Sequence, residues 1–334
     1  MIQSFYDSGI AFILAFQALG AWLDPPMQLL SFLGNDLFFL LVAPVIFWSI
    51  DATLGLRLGL FLMVSASVNE ALKLILHSPR PYWHSTRVGA LSSETSFGVP
   101  SGHAQNSVVV WGTLAHHIHK SWAWIAAIAL IFLIGISRTY LAVHFPTDVL
   151  AGWAIGALLL WALLKIEKPL LHWFKPLSRP AQVLLALAGS LGLILLSVIA
   201  RASLGSWSVP QEWIANALAA FPDVDINPLS IRSAFSNAGA FFGLAAGAIL
   251  LPNKNGDFDA HGPVWKRFIR YVVGLVGISL IYFGLSAVFP HGEDYTSLGL
   301  RYIRYALVGF WVTYLAPSLF VLLKLAERKI TVNN

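Results

Sequence analysis

The chain contains no cysteine, which excludes disulfides, thiolate catalysis and a zinc-thiolate site. Charge is scarce too. Only 11% of its 334 residues are Asp, Glu, Lys or Arg, whereas a soluble domain of this length needs roughly a quarter to coat its surface. With 57% hydrophobic residues and a mean hydropathy of +0.71, it reads as an integral membrane protein. Acidic residues are the scarcer sign, 16 against 21 basic, giving a formal charge of +5. In a soluble protein that excess would suggest nucleic acid. Here the basic residues sit at the ends of apolar runs, so positive-inside bias accounts for them and no nucleic-acid partner is expected. A basic leader is missing as well: Met1 to Gly9 has Asp7 and no Lys or Arg. Ile10 to Leu23 is therefore expected to be a retained first span, not a cleaved signal.

That first span is expected to stop at Asp24-Pro25-Pro26. Gln28 to Asp36 reads as an amphipathic interfacial segment, and Leu37–Ile50, Leu54–Leu76, Ala104–Ile118, Trp122–Ile136 and Asp148–Leu164 as five further spans. Lys165 to Arg179 holds Lys165, Lys168, Lys175 and Arg179 against Glu167, a strong cytoplasmic anchor. Gln182–Ala200, Phe235–Leu251, Tyr271–Phe289 and Tyr305–Leu323 bring the total to ten. With both termini in the cytoplasm, 13 of the 21 Lys and Arg lie inside and 8 outside. The expected fold is an all-α polytopic bundle: residues 1–164 a six-helix core, 165–181 a basic linker, and 182–334 a four-helix bundle. Arg267-Phe268-Ile269-Arg270-Tyr271 and Arg301-Tyr302-Ile303-Arg304-Tyr305 echo one another. They read as recurring interfacial anchors and not as a duplication.

Three polar islands interrupt the apolar sequence between Lys73 and Asp148. They are Lys73 with Arg80-Pro81, then Pro100-Ser101-Gly102-His103, then Ser137-Arg138 with His144 and Asp148. Cations and imidazoles are costly near a bilayer, so their repetition at the ends of successive spans asks for a shared purpose, and holding a phosphate would supply one. Phosphoryl transfer needs cations or N–H donors on the non-bridging oxygens, an in-line nucleophile and an acid for the leaving oxygen. Lys73 and Arg80 are seven apart, and share one face if the helix continues that far. Arg138 offers a planar fork to two oxygens. Ser101 supplies a hydroxyl, while Gly102 lets its backbone N–H approach at a helix start that favours an anion. His144 lies four residues before Asp148, with Pro146 suited to a first helical turn, which would bring carboxylate to imidazole.

Lys73-x6-Arg80-Pro81, Pro100-Ser101-Gly102-His103 and Ser137-Arg138-x5-His144-x3-Asp148 together resemble the three signature motifs of the type 2 phosphatidic acid phosphatase family, its membrane branch. The resemblance covers the first half of the chain. It implies that His144 is the nucleophile, forming a phosphohistidine, with Asp148 orienting it. His103 would protonate the leaving oxygen and then activate water, while Lys73, Arg80, Ser101, Gly102 and Arg138 bind substrate. No metal or other cofactor is required by such a scheme. The implied substrate is a lipid phosphate monoester or pyrophosphate, such as undecaprenyl pyrophosphate, phosphatidylglycerol phosphate or phosphatidic acid. The site would face the extracytoplasmic side of a bacterial inner membrane.

Two alternatives stay open at this point: transfer of the phosphoryl group to an acceptor alcohol, and coupling of a phosphatase half to a C-terminal transport or lipid-binding module. The segment Arg201 to Asn237, with Trp207 and Trp213, reads as an amphipathic connector, a lid over the site being the alternative. His116, His117 and His119 share a short turn on the opposite face and read as a solvated loop, not a metal site. Asn69 and Glu70 lie one turn before Lys73, where they could tune it or pack helices.

Overall fold

The computed structural model describes residues 2–251 and 257–329, which are helical almost throughout. The helices run α1 (Ile2–Gln17), α2 (Asp24–Phe32), α3 (Asp36–Ser49), α4 (Ala52–Leu76), α5 (Pro81–His84), α6 (Gly102–Ile118) and α7 (Ser121–Tyr140). Then follow α8 (Pro146–Phe174), α9 (Arg179–Ser203), α10 (Gln211–Ala220), α11 (Arg232–Leu250), α12 (Val264–Val288), α13 (Tyr295–Phe310) and α14 (Ala316–Leu322). Among the described residues the strands are one short antiparallel pair, β1 (Asp257–Phe258) with β2 (Arg328–Lys329), and loops such as 85–101 join the helices.

Nine of the ten expected spans fall on helix, while the first, Ile10–Leu23, is broken at Ala18–Gly20. Among the described residues seven helices are long and apolar enough to cross a membrane, with one bent pair as a further candidate. The bent pair, Tyr6–Gln17 with Ala21–Phe32, turns through 87°, and α3 and α6 are shorter. The expected stop at Asp24-Pro25-Pro26 is a start instead. The first helix ends at Gln17, and the prolines occupy the opening turn of α2, where a missing N–H costs nothing. The basic stretch after Leu164 is largely helical, since α8 continues to Phe174.

The chain forms two compact units. The first comprises Met1–Phe39, Val68–Ala162 and Ser197–Ser230; the second comprises Leu40–Ser67, Leu163–Leu196 and Ile231–Asn334.

In the first unit, α6 and α8 approach closely because Gly152 faces the carbonyl of Ser101 and Gly156 that of Gln105. A methyl group at either glycine would meet those oxygens at 2.6 and 2.7 Å. Asn69 donates to Pro100 O (3.2 Å) and Gln105 Oε1 (2.9 Å), tying α4 to the start of α6. Gln17 donates to Gly89 O and Tyr140 O (2.7 and 2.9 Å), which fixes the end of α1. The segment after α9 folds onto α5: Asn216 donates to Trp83 O (3.0 Å), Phe221 packs edge-on to Tyr82, and Trp213 lies against Trp83. Trp207 meets Phe97 and His77.

In the second unit, Trp48 donates to Val312 O (2.8 Å) and stands edge-on to Phe320, within a core that includes Phe47, Ile278, Val308 and Ala316. Gly239, Gly243 and Gly247 make one side of α11 bare, so it packs directly on the backbone of α13 and on Thr313. Thr313 lies in a π-helical turn, Trp311–Leu315, and returns its hydroxyl to Gly309 O (3.1 Å) and Leu244 O (3.0 Å). The two echoed segments differ in use. Arg270 donates to the carbonyls of Asp259, Ala260 and His261 (2.8–3.0 Å), while Arg304 lies over the rings of Tyr282 and Tyr305.

Candidate active site

Lys73 closes the last turn of α4, which stops at Leu76 because His77 turns to positive φ (32°). The helix therefore does not carry Arg80 on the same face, as the seven-residue spacing suggests. Arg80 instead caps α5 in extended conformation. Both cations nevertheless reach one residue, Ser96, in the loop that follows. Lys73 Nζ donates to Ser96 Oγ (2.8 Å), and Arg80 donates from Nε to Ser96 O (2.6 Å) and from NH2 to Ser96 Oγ (3.2 Å). Arg80 also donates to Val143 O (2.9 Å) and Phe97 O (3.1 Å).

Ser101 is the N-cap of α6, its Oγ accepting from Ala104 N at 3.5 Å, and its hydroxyl proton stays available to a ligand. Gly102 lies against Asn69 Oδ1. His103, in the first turn of the same helix, has a buried Nε2 with no hydrogen-bond partner. Arg138 leaves the last turn of α7 with 2% exposure. It donates to Ser31 Oγ and Glu94 Oε1.

The chain then turns sharply through Ala142 (φ 57°), with the amides of Val143 and His144 both reaching back to Arg138 O (3.3 Å). His144 thus precedes α8 and does not lie on it; Asp148 is in the helix's first turn. Asp148 Oδ2 accepts from Phe145 N (2.9 Å) and stands 3.4 Å from His144 Nδ1. On the other side of the ring, Nε2 is 3.2 Å from Arg80 NH1. A guanidinium can only donate, so Nε2 presents its lone pair there, and the ring proton is assigned to Nδ1, facing Asp148. Burial, then the positive charge of Arg80, Arg138 and Lys73, pushes His144 well below the usual imidazole range and keeps it neutral.

All the sequence-derived candidates thus lie in one unit, and Lys73, Arg80, Arg138, His144 and Asp148 are buried, at most 7% exposed. Sequence reasoning missed Glu94, Ser96, Ser31 and Tyr82. Glu94 pairs with Arg138, and its Oε2 is 3.8 Å from Arg80 NH2. Burial opposes its ionisation, but the two guanidinium groups outweigh that and hold it below the usual carboxylate range. Its backbone is pinned at both ends by one hydroxyl, Tyr82 OH, which donates to Glu94 O (2.8 Å) and accepts from Glu94 N (2.9 Å). One signal was available: Glu94 is the only acidic residue between Glu70 and Asp148.

Known proteins carry matching features. The model of the PAP2 superfamily matches residues 54–172, and that of the PAP2 superfamily phosphatase transmembrane extension matches 235–328. The chain is 34% identical over 151 residues to phosphatidylglycerophosphatase B of Bacillus subtilis, across 41% of this chain and 72% of that one. It is 26% identical over 271 residues to glucose-6-phosphatase 3 of Bos taurus, across 73% of this chain and 76% of that one. A crystal structure of a transmembrane PAP2-type phosphatidylglycerolphosphate phosphatase from Bacillus subtilis matches at 28% identity and a TM-score of 0.43, covering 50% of this chain and 87% of that one.

Apolar spans and relatives together define a multi-pass membrane protein that hydrolyses phosphoric esters. The chain belongs to the PAP2 superfamily and carries that family's transmembrane extension as well.

Proposed function

We propose that the protein releases phosphate from a lipid phosphate monoester or pyrophosphate by way of a phosphohistidine on His144, without a metal ion. The observation that carries this reading is the His144 ring, neutral, with Nδ1 facing Asp148 and its Nε2 lone pair turned to the Arg80 guanidinium. In the first step Nε2 attacks phosphorus and a P–N bond forms as the P–O bond to the leaving group breaks. His103, whose Nε2 has no other partner, gives that oxygen a proton. Water, losing its proton to His103, then attacks phosphorus and breaks the P–N bond, which regenerates His144. Lys73, Arg80, Arg138, the Ser101 hydroxyl and the Gly102 amide stabilise charge on the non-bridging oxygens.

A lipid is favoured because the chain is embedded in the membrane and because its 34%-identical relative is named for phosphatidylglycerophosphate. The distribution of Lys and Arg supports a site on the extracytoplasmic face with both termini cytoplasmic, and the compact loops support a bacterial inner membrane.

The test is phosphate release in EDTA by wild type and His144→Ala. The substrates are a polyprenyl pyrophosphate, phosphatidylglycerol phosphate, phosphatidic acid, a long-chain-base phosphate and a soluble sugar phosphate. Release from one of the lipids by wild type alone supports the reading. Preference for the sugar phosphate overturns the lipid assignment, and equal activity of the two proteins overturns the histidine mechanism.

A further inference from the structure

The cations of the site already hold an anion, and it belongs to the protein. Glu94 stands between Arg138 and Arg80, one carboxylate oxygen towards each. A carboxylate offers guanidinium groups two anionic oxygens, as the tetrahedral phosphorus of a phosphoryl head also does. The Glu94 side chain is 26% exposed, whereas those of the arginines it meets are 0% and 2% exposed. It therefore approaches from the open side of the site. With its backbone pinned by Tyr82, rotation about the side-chain bonds is enough to bring the carboxylate out while the loop stays in place.

We propose that Glu94 determines specificity: its carboxylate occupies the phosphate-binding position of the empty enzyme, yielding to a dianionic monoester or pyrophosphate head but not to a monoanionic phosphodiester. This rests on the reading of the cluster as the phosphate site. The physical problem it answers is one of concentration. A cationic pocket opening in a membrane faces phosphodiester headgroups in great excess over any monoester. Exchanging the Glu94 carboxylate for a diester swaps one negative charge for another. The tethered carboxylate wins that exchange because it is held in place by the chain and loses no translational freedom on pairing, whereas a diester does. A monoester, whose second ionisation lies near pH ~6, brings a second negative charge at pH 8 and gains attraction from Lys73, Arg80 and Arg138 together.

The experiment measures hydrolysis of a short-chain phosphatidic acid at pH 8 in neutral detergent, with short-chain phosphatidylglycerol as the competing diester, for wild type and Glu94→Gln. The quantity read is the diester inhibition constant divided by the KM of the monoester. It is expected to fall at least about tenfold in Glu94→Gln, with the diester becoming a competitive inhibitor. An unchanged ratio overturns the proposal, as does a fall produced only by a higher KM.

A second readout does not need turnover. Phosphatidylglycerol should raise the thermal midpoint of Glu94→Gln and leave that of wild type unmoved; equal shifts in both, or in neither, overturn the proposal. If wild type hydrolyses none of the lipid phosphates of the preceding test, the proposed function falls, and the thermal measurement still decides whether Glu94 guards the cations.

Discussion

Both units bury arginine, and they do so in different ways. In the second unit Arg270 is committed to three backbone carbonyls, which cannot leave. In the first, Arg138 is held by a serine hydroxyl and a carboxylate, side-chain groups that a ligand can replace. Burial of charge is thus a poor marker of a site by itself; the marker is whether its partners can be exchanged. Arg80 combines both kinds: it donates to three carbonyls, and its NH1 also meets His144 Nε2.

The contrast can be broken most forcefully at His144. His144→Ala should lower kcat by more than about 10³-fold, with a thermal midpoint near that of wild type. Arg138→Gln comes next, with an expected loss of about 10²–10³ in kcat/KM, the usual cost of one oxyanion donor. Arg270→Gln should do the reverse. It removes charge-assisted bonds worth about 1.5–3 kcal/mol each, so denaturation should begin earlier, while kcat per folded molecule stays within about twofold. A large loss of kcat there would erase the distinction between the units.

The smallest effect is in pH. The rate requires neutral His144, and its lowered pKa means that the ring stays neutral as pH falls below the ordinary imidazole value of about 6.5. The acidic limb of kcat/KM, corrected for the substrate's own ionisation near pH ~6, should therefore lie below 6.5. A limb at or above that value would contradict the buried, cation-flanked setting of the ring.

The motif residues were legible because chemistry fixes their types and the membrane makes them conspicuous. Lys73, Arg80, Ser101, His103, Arg138, His144 and Asp148 interrupt apolar sequence, and the structure brings them into one unit. How Lys73 and Arg80 meet was not legible. A helical spacing suggested a shared face, but the helix stops at Leu76 and the loop residue Ser96 unites them. Glu94, Ser96 and Tyr82 lie in or beside a Ser-rich loop without periodicity, and nothing local says that such a loop folds back over the cations. The prolines after Asp24 misled for a related reason: proline ends one helix and begins the next equally well, and only the chain's path decides.

The packing of Trp207, Trp213, Asn216 and Phe221 on Phe97, Trp83 and Tyr82 carries a practical warning for anyone dissecting the chain. Tyr82 is the clamp on Glu94, and Trp83 neighbours the arginine that faces His144. A protein cut after Arg179 keeps every motif residue yet loses the buttress behind both aromatic rings. Silence from such a fragment would report a collapsed wall, and would say nothing about where the chemistry resides.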